Sequence, residues 1–287
     1  MDQMKSAVVT GVSSGIGRAI AKRLVDEGWR VFGSVRKQED AEAAQDALGE
    51  GFTPLVCDVT DEASIAAAAE QVSTALAGRT LDGLVNNAGS PASGPMRYIS
   101  IDDLKWIMDV NVYGVVRACQ AFIPLLGGDP ERTGAPGKII NMSSVSGRIS
   151  VPFMGPYSMS KYALEAISDA LRVELIPHGI DVVIVEPGPV KTPIFDKSQS
   201  IDKSRYSDTE YAASLERMVE SSQAMGKDGL EPEVISDLVW NIFNNATPKT
   251  RYAILKKKFS RFILPRLLRQ RRVDQVLADR MGLTRSS

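Results

Sequence analysis

Tyr157 and Lys161 stand four residues apart in the run Tyr157-Ser158-Met159-Ser160-Lys161. On a helix, that spacing places both side chains on one face. A phenol titrates at about pH 10 and is a poor base at neutral pH. A neighbouring ammonium favours the phenolate, which brings the pair into range for general acid–base work. The chain has seven tyrosines, so such a pair arises easily by coincidence and equally describes an exposed helix face. Its meaning depends on what surrounds it.

Four further groups fall where such chemistry would use them. Asn141-Met142-Ser143-Ser144 ends a predicted strand, and a serine hydroxyl there can hold a substrate oxygen. Asn86-Asn87-Ala88-Gly89 ends another and can line a ligand crevice. Asn111 lies inside a predicted helix, an unfavourable place for asparagine unless its amide has a partner. Pro187-Gly188-Pro189-Val190-Lys191-Thr192 follows a third strand and can wrap an amide-bearing ring.

The run Thr10-Gly11-Val12-Ser13-Ser14-Gly15-Ile16-Gly17 follows the first predicted strand and opens a helix. Gly11 permits a tight turn, Gly15 allows close approach of a pyrophosphate, and Gly17 lets the helix pack near the strand. The helix N-terminus adds free N–H groups and a positive dipole end. The spacing is G-x-x-x-G-x-G, a variant of the dinucleotide fingerprint. After the second strand comes Gly33-Ser34-Val35-Arg36-Lys37, without the acid that would bond a ribose 2′-hydroxyl. Arg36 can grip a 2′-phosphate, with Ser13 or Ser14 adding a hydroxyl. This favours NADP(H). If Arg36 only stacks on adenine, NAD(H) fits as well.

The elements that must position these residues alternate. Strands are expected at 7–9, 29–35, 52–57, 81–86, 138–142, 180–186 and 252–255. Helices are expected at 16–27, 61–77 (capped by Thr60 or Asp61), 101–126 with a break near Pro124, and 157–175. The β-α alternation and doubly apolar strands such as Val182-Val183-Ile184-Val185 imply an α/β, three-layer, doubly wound parallel sheet, a Rossmann fold. One domain is expected over residues 1–255. Within it the polar stretch 189–229 reads as a mobile substrate lid, and a basic helical extension follows over 256–287.

The 287 residues carry a net charge of −1, so nothing draws the chain to nucleic acid. Cys57 and Cys119 are far apart with no metal-ligand spacing, and read as free buried thiols. No signal peptide and no membrane-spanning run are read, so a cytoplasmic location is expected. His178, between Pro177 and Gly179, reads as part of a helix-ending turn.

Taken together, these motifs resemble the short-chain dehydrogenase/reductase family over about residues 5–255. The resemblance rests on Thr10 to Gly17, Asp58-Val59, Asn86 to Gly89, Asn111, Ser144, the Tyr157/Lys161 pair and Pro187 to Thr192. It implies Tyr157 as acid/base, Ser144 orienting the substrate oxygen, and Lys161 holding the nicotinamide ribose and lowering the tyrosine pKa. Asn111 would position a water in a proton relay through Lys161. Ser144 is preferred to Ser143 because it lies thirteen residues before the tyrosine. Asp58 and the Val59 N–H would meet adenine, and Asn87, Ala88 and Gly89 the adenine-side ribose. Val190 and Thr192 would hold the carboxamide beside Pro187 and Gly188. A homodimer or homotetramer through helices 101–126 and 157–175 is also implied.

Within the family, Val31 to Lys37 and the tail look most like 17β-hydroxysteroid and retinol dehydrogenases. Pro193, Ile194, Phe195, Tyr211, Leu215, Met96, Phe153 and Met154 could line an apolar pocket for a lipophilic alcohol or ketone, or be ordinary core. A 3-oxoacyl-thioester reductase and a non-catalytic NADP(H)-binding regulator are the competing readings. An epimerase or dehydratase would need a larger C-terminal domain. The tail from Lys249 to Val273 has no acid, and Phe259, Phe262, Ile263 and Leu267 fall at helical spacing around Pro265. It reads as a helix packed on its own domain or a second subunit, or lying on an anionic membrane.

Overall fold

A computed structural model describes residues 4–193 and 203–283. Ile194 and Phe195, expected to line the pocket, lie outside the described residues. Seven strands form one sheet: β1 (Ser6–Val9), β2 (Arg30–Val35), β3 (Phe52–Val56), β4 (Gly83–Asn86), β5 (Lys138–Met142), β6 (Asp181–Pro187) and β7 (Arg251–Ile254). All pairings are parallel, in the order β3-β2-β1-β4-β5-β6-β7. The order reverses between β1 and β4, and ligands in such sheets bind at the strand C-termini beside that point.

Helices cover both faces, as apolar strands require. On one face lie α1 (Gly15–Asp26), α2 (Gln38–Leu48) and α8 (Pro232–Phe243). Ile20, Ala21 and Leu24 of α1 pack there with Ile235, Val239 and Ile242 of α8. On the other face lie α3 (Glu62–Leu76), α4 (Ile101–Met108), α5 (Gly114–Phe122) and α6 (Gly155–Glu174). The cap of α3 is Asp61, whose carboxylate accepts from the Ala63 N–H at 3.0 Å. Cys57 and Cys119 are free and buried. His178 ends a 3-10 turn before Gly179.

The helical pattern hid three things. Helix α2 buries only Ala41, Ala44 and Leu48 among acidic and polar residues, so its apolar face is faint in sequence. Helix α8 went unread beyond the lid stretch. Residues 101–126 are not one helix broken at Pro124. A π-helical turn, Asp109–Tyr113, joins α4 to α5, and a second, Pro124–Gly128, ends the run with Gly127 at φ 111°.

The stretch expected as a polar lid contains a 16-residue helix, α7 (Ala212–Lys227). Leu215, Met218 and Val219 line its inner face and form a third core cluster with Phe153 and Tyr206. After β7 the extension makes a π-helical turn, Phe259–Ile263, a short helical turn, Leu264–Leu267, and then α9 (Gln270–Met281). Met281 and Leu283, at its end, pack against the third cluster.

Candidate active site

The glycine-rich turn is built as a cradle. Gly11 (φ 74°) and Gly15 (φ 61°) occupy the left-handed region open to glycine. A Cβ on Gly17 would strike the Gly11 carbonyl and the Asn87 amide, so only glycine lets α1 sit this close. Ser14, at the head of α1, makes no side-chain cap, and the first turn carries no acid. The N–H groups there are therefore left for an anion, and Ser13 and Ser14 are exposed beside Ile16. These features fit a dinucleotide pyrophosphate.

Side chains from neighbouring strand ends hold this turn. The Ser34 hydroxyl accepts from the Gly11 N–H at 3.0 Å. The Thr10 hydroxyl accepts from the Asn87 and Ala88 N–H groups, each at 2.9 Å. The Asn87 amide donates to the carbonyls of Thr10 (2.9 Å) and Gly11 (3.0 Å). Its side chain is thus engaged in the turn, which leaves Ala88 and Gly89 as the lining at the end of β4. Arg36 is exposed at the end of β2, with no hydrogen bond or ion pair among the described residues. Asp58 accepts through Oδ1 from the Thr60 N–H (2.9 Å) and hydroxyl (2.7 Å). Among the described residues its Oδ2 accepts nothing. Val59 is buried beside it.

At the end of β5, the Ser144 hydroxyl accepts from the Ser146 N–H (3.1 Å), lies 3.4 Å from the Pro187 carbonyl and stands within hydrogen-bonding reach of the Tyr157 phenol. Ser143 is different: its hydroxyl is buried without a partner. The structure therefore brings Ser144, and not Ser143, to the tyrosine. Beyond Pro187, the Gly188 N–H donates to the Ile254 carbonyl at 2.9 Å. Val190 bridges Leu230, and the Thr192 hydroxyl donates to the Val190 carbonyl at 3.4 Å.

Lys161 is buried, with its ammonium on the Met142 carbonyl at 2.8 Å and 5.7 Å from the Tyr157 ring centre. Burial pulls its pKa down to about 8, opposed by the Glu165 carboxylate one turn on. Burial pushes the Tyr157 phenol up, with the Ser144 hydrogen bond pulling the other way.

Asn111 is 1 % exposed, on the π-helical turn. Its Oδ1 accepts from the Ser90 N–H (2.8 Å), and its Nδ2 donates to the Ser90 carbonyl and the Ser160 hydroxyl, both at 3.0 Å. The amide ties the loop after β4 to α6. Beneath the site, the Asn86 amide donates to Asn141 (2.8 Å), and Asn141 to Ser168 (2.8 Å). That buried chain fixes the ends of β4 and β5 against α6.

Below Lys161 sits a charge cluster the sequence did not disclose. Glu165 and Glu186 are both buried. Arg251 Nε lies 2.9 Å from Glu165 and 3.7 Å from Glu186, and Arg148 approaches Glu186 at 3.6 Å. Oε1 of each glutamate lacks a hydrogen-bond partner, and burial raises the Glu186 pKa.

Of the expected pocket residues, Phe153, Tyr211 and Leu215 gather, with the Phe153 and Tyr211 rings 5.8 Å apart. Tyr206, Met218 and Val219, which were not foreseen, join them. Met96 is 55 % exposed, and Pro193 is exposed. Among the described residues no group of histidine, cysteine or carboxylate side chains could hold a metal.

A family profile described as short chain dehydrogenase matches residues 5–203. The chain is 39 % identical over 285 residues to the NADPH-dependent 3-dehydrocapnine reductase of Ornithobacterium rhinotracheale, covering 99 % of this chain and 100 % of that protein. It is 32 % identical over 265 residues to retinol dehydrogenase 16 of Mus musculus, covering 88 % and 80 %. Among solved structures it is similar to a short-chain dehydrogenase/reductase from Burkholderia phymatum in complex with NAD. That likeness has a TM-score of 0.77 and 25 % identity, and covers 96 % of this chain and 95 % of that one.

Proposed function

The chain belongs to the short-chain dehydrogenase/reductase family and is an NAD(P)-dependent oxidoreductase acting on an alcohol/carbonyl pair, and from that premise we propose that it reduces a lipophilic ketone or aldehyde with NADPH. The observation that carries this reading is the Tyr157 phenol set beside Ser144 at the mouth of the sheet, with the buried Lys161 ammonium 5.7 Å from its ring centre. A neutral phenol is the form that donates a proton to a carbonyl oxygen as it becomes an alkoxide. The Ser144 hydroxyl, on the same point, orients that oxygen and stabilises its developing charge. A bound NADPH would supply the hydride.

Gly11, Gly15, Gly17 and the N–H groups of Ser13, Ser14 and Ile16 would hold the pyrophosphate. Asp58 and Val59 would hold adenine, Ala88 and Gly89 the ribose, and Pro187 to Thr192 the carboxamide. The buried Lys161 ammonium lies on the inner side of Tyr157, where it can bond a ribose hydroxyl and return a proton to the phenol. Preference for NADPH is supported by the unpaired Arg36 and by the name of the 39 %-identical relative. A lipophilic substrate is supported by the apolar wall of Phe153, Tyr211, Leu215 and Met218, and by relatives named for 3-dehydrocapnine and retinol. A homo-oligomer is supported by the exposed Trp106, Tyr113 and Tyr162 on the helices at 101–122 and 155–174.

The test is the loss of NADPH absorbance with a panel of long-chain and cyclic ketones, beside Tyr157→Phe. The variant should bind NADPH normally, seen by nucleotide fluorescence, and lose turnover by about 10²–10⁴-fold. Wild-type-like turnover in that variant, or equal rates with a small water-soluble ketone, would count against the reading.

A further inference from the structure

Residues 256–272 present an unusual surface. Eight cations lie in this stretch with no acid: Lys256, Lys257, Lys258, Arg261, Arg266, Arg269, Arg271 and Arg272. Between them, Phe259 (64 %), Ile263 (37 %), Leu264 (39 %), Leu267 (74 %) and Leu268 (41 %) are exposed. Phe259, Ile263 and Leu267 recur every four residues, as do Leu264 and Leu268, so they share one face of the helical run. Soluble surfaces rarely leave such a run of large apolar side chains in water.

The segment is nevertheless pinned at both ends. Phe262 is buried, and Met281 and Leu283 at the far end of α9 pack against the cluster that includes Leu215, Met218 and Phe153. Lys256 and Arg261 reach Asp228, at the end of α7, at 3.3 and 3.7 Å. Among the described residues Arg269, Arg271 and Arg272 form no ion pair.

We propose that residues 256–272 are a docking surface for an anionic lipid bilayer, with Phe259, Ile263, Leu264, Leu267 and Leu268 entering the headgroup boundary and the surrounding cations meeting lipid phosphates. Apolar burial and cation–headgroup attraction act together in such binding. A net charge of −1 for the whole chain makes this local excess a matter of placement and not of composition. Among the described residues no helix is long and apolar enough to cross a membrane, so the segment lies on the bilayer. A second copy fits poorly, because a two-fold contact sets a patch against itself, here cation against cation. The surface adjoins α7, which Lys256 and Arg261 reach at Asp228. The docking itself does not depend on what the substrate is.

The test is co-sedimentation of the full-length protein with vesicles of phosphatidylglycerol and phosphatidylcholine, beside vesicles of phosphatidylcholine alone. Binding is expected to the anionic vesicles, weakening as salt rises. Exchanging Arg269, Arg271 and Arg272 for Glu should weaken it by at least about fivefold per cation removed. Leu267→Ser with Phe259→Ser should weaken it by about tenfold or more. NADPH binding, unchanged in both variants, reports that they fold. Equal sedimentation with both vesicle types, or undiminished binding by the variants, overturns the proposal. So does a fall in oligomeric state of the Leu267→Ser, Phe259→Ser variant in sedimentation velocity, which would assign the patch to a second copy.

Discussion

Lys161 and Glu165 lie one turn apart on the inner face of α6, both buried, and the carboxylate is the charge that opposes desolvation of the ammonium. Arg251 holds that carboxylate from β7 at 2.9 Å. A residue of the last strand thus fixes in place the carboxylate that favours the charged lysine.

Glu165→Gln removes this opposing charge and leaves Arg251 and Arg148 in place. The Lys161 pKa should then fall below about 8. Since the ammonium is the working form, the alkaline limb of kcat should move to lower pH, and Glu165→Asp should restore part of the shift. A purely structural role would lower Tm while leaving the limb where it is. A pH–rate profile of the three proteins separates the two.

Lys161→Met tests the cost of burying the ammonium. The folded pKa of about 8 lies below the ordinary 10.5, so between those values the unfolded chain binds more protons and wild-type stability rises with pH. Below pH 8 the buried charge is a full penalty. Lys161→Met should therefore be the more stable protein at neutral pH, by on the order of 1–3 kcal/mol once the lost bond to the Met142 carbonyl is discounted. The difference should shrink as pH climbs through the window. Denaturant unfolding at pH 7 and pH 10 measures it; a variant less stable at both would refute the sign.

The Tyr157/Lys161 pair, Ser144 and the glycine turn were legible because their meaning lies in short spacings and in strand ends that alternation places. Asn111 was legible as an anomaly, a polar amide inside a helix. What escaped has one cause, partners remote in sequence. Arg251 meets Glu165 across 86 residues and the Asn87 amide meets Thr10 across 77, contacts that exist only once the sheet assembles. The desolvation that raises the tyrosine pKa likewise belongs to the whole packed site. Helices α2 and α7 were missed because small or scattered apolar residues carry their inner faces.

Arg36 is exposed at the end of β2 with no partner among the described residues, so its removal should leave the fold intact. Arg36→Ala should raise KM for NADPH by about tenfold to a hundredfold, the worth of charge-assisted bonds to a phosphate. KM for NADH should barely change. Steady-state kinetics with both nucleotides decide it: an equal rise for the two would mean that Arg36 stacks on adenine and does not read the phosphate.

Phe153 is buried at 7 % exposure yet holds φ at +66°, the left-handed region, one residue before the cap of α6. Such a conformation costs a bulky residue on the order of 1–2 kcal/mol, which its ring offsets by packing on Tyr211 and the third core cluster. Truncation should therefore invert the usual order of helix-flanking substitutions. Phe153→Ala loses the ring and keeps the strain; Phe153→Gly loses the ring and releases the strain. Both should be destabilised, the alanine variant by roughly 1 kcal/mol more than the glycine. Both should lose affinity for lipophilic ketones alike, since the same wall is gone. Tm and KM measured together test the two halves separately. An alanine variant more stable than the glycine would mean that the backbone relaxes once the ring is removed, leaving packing as the sole role of Phe153.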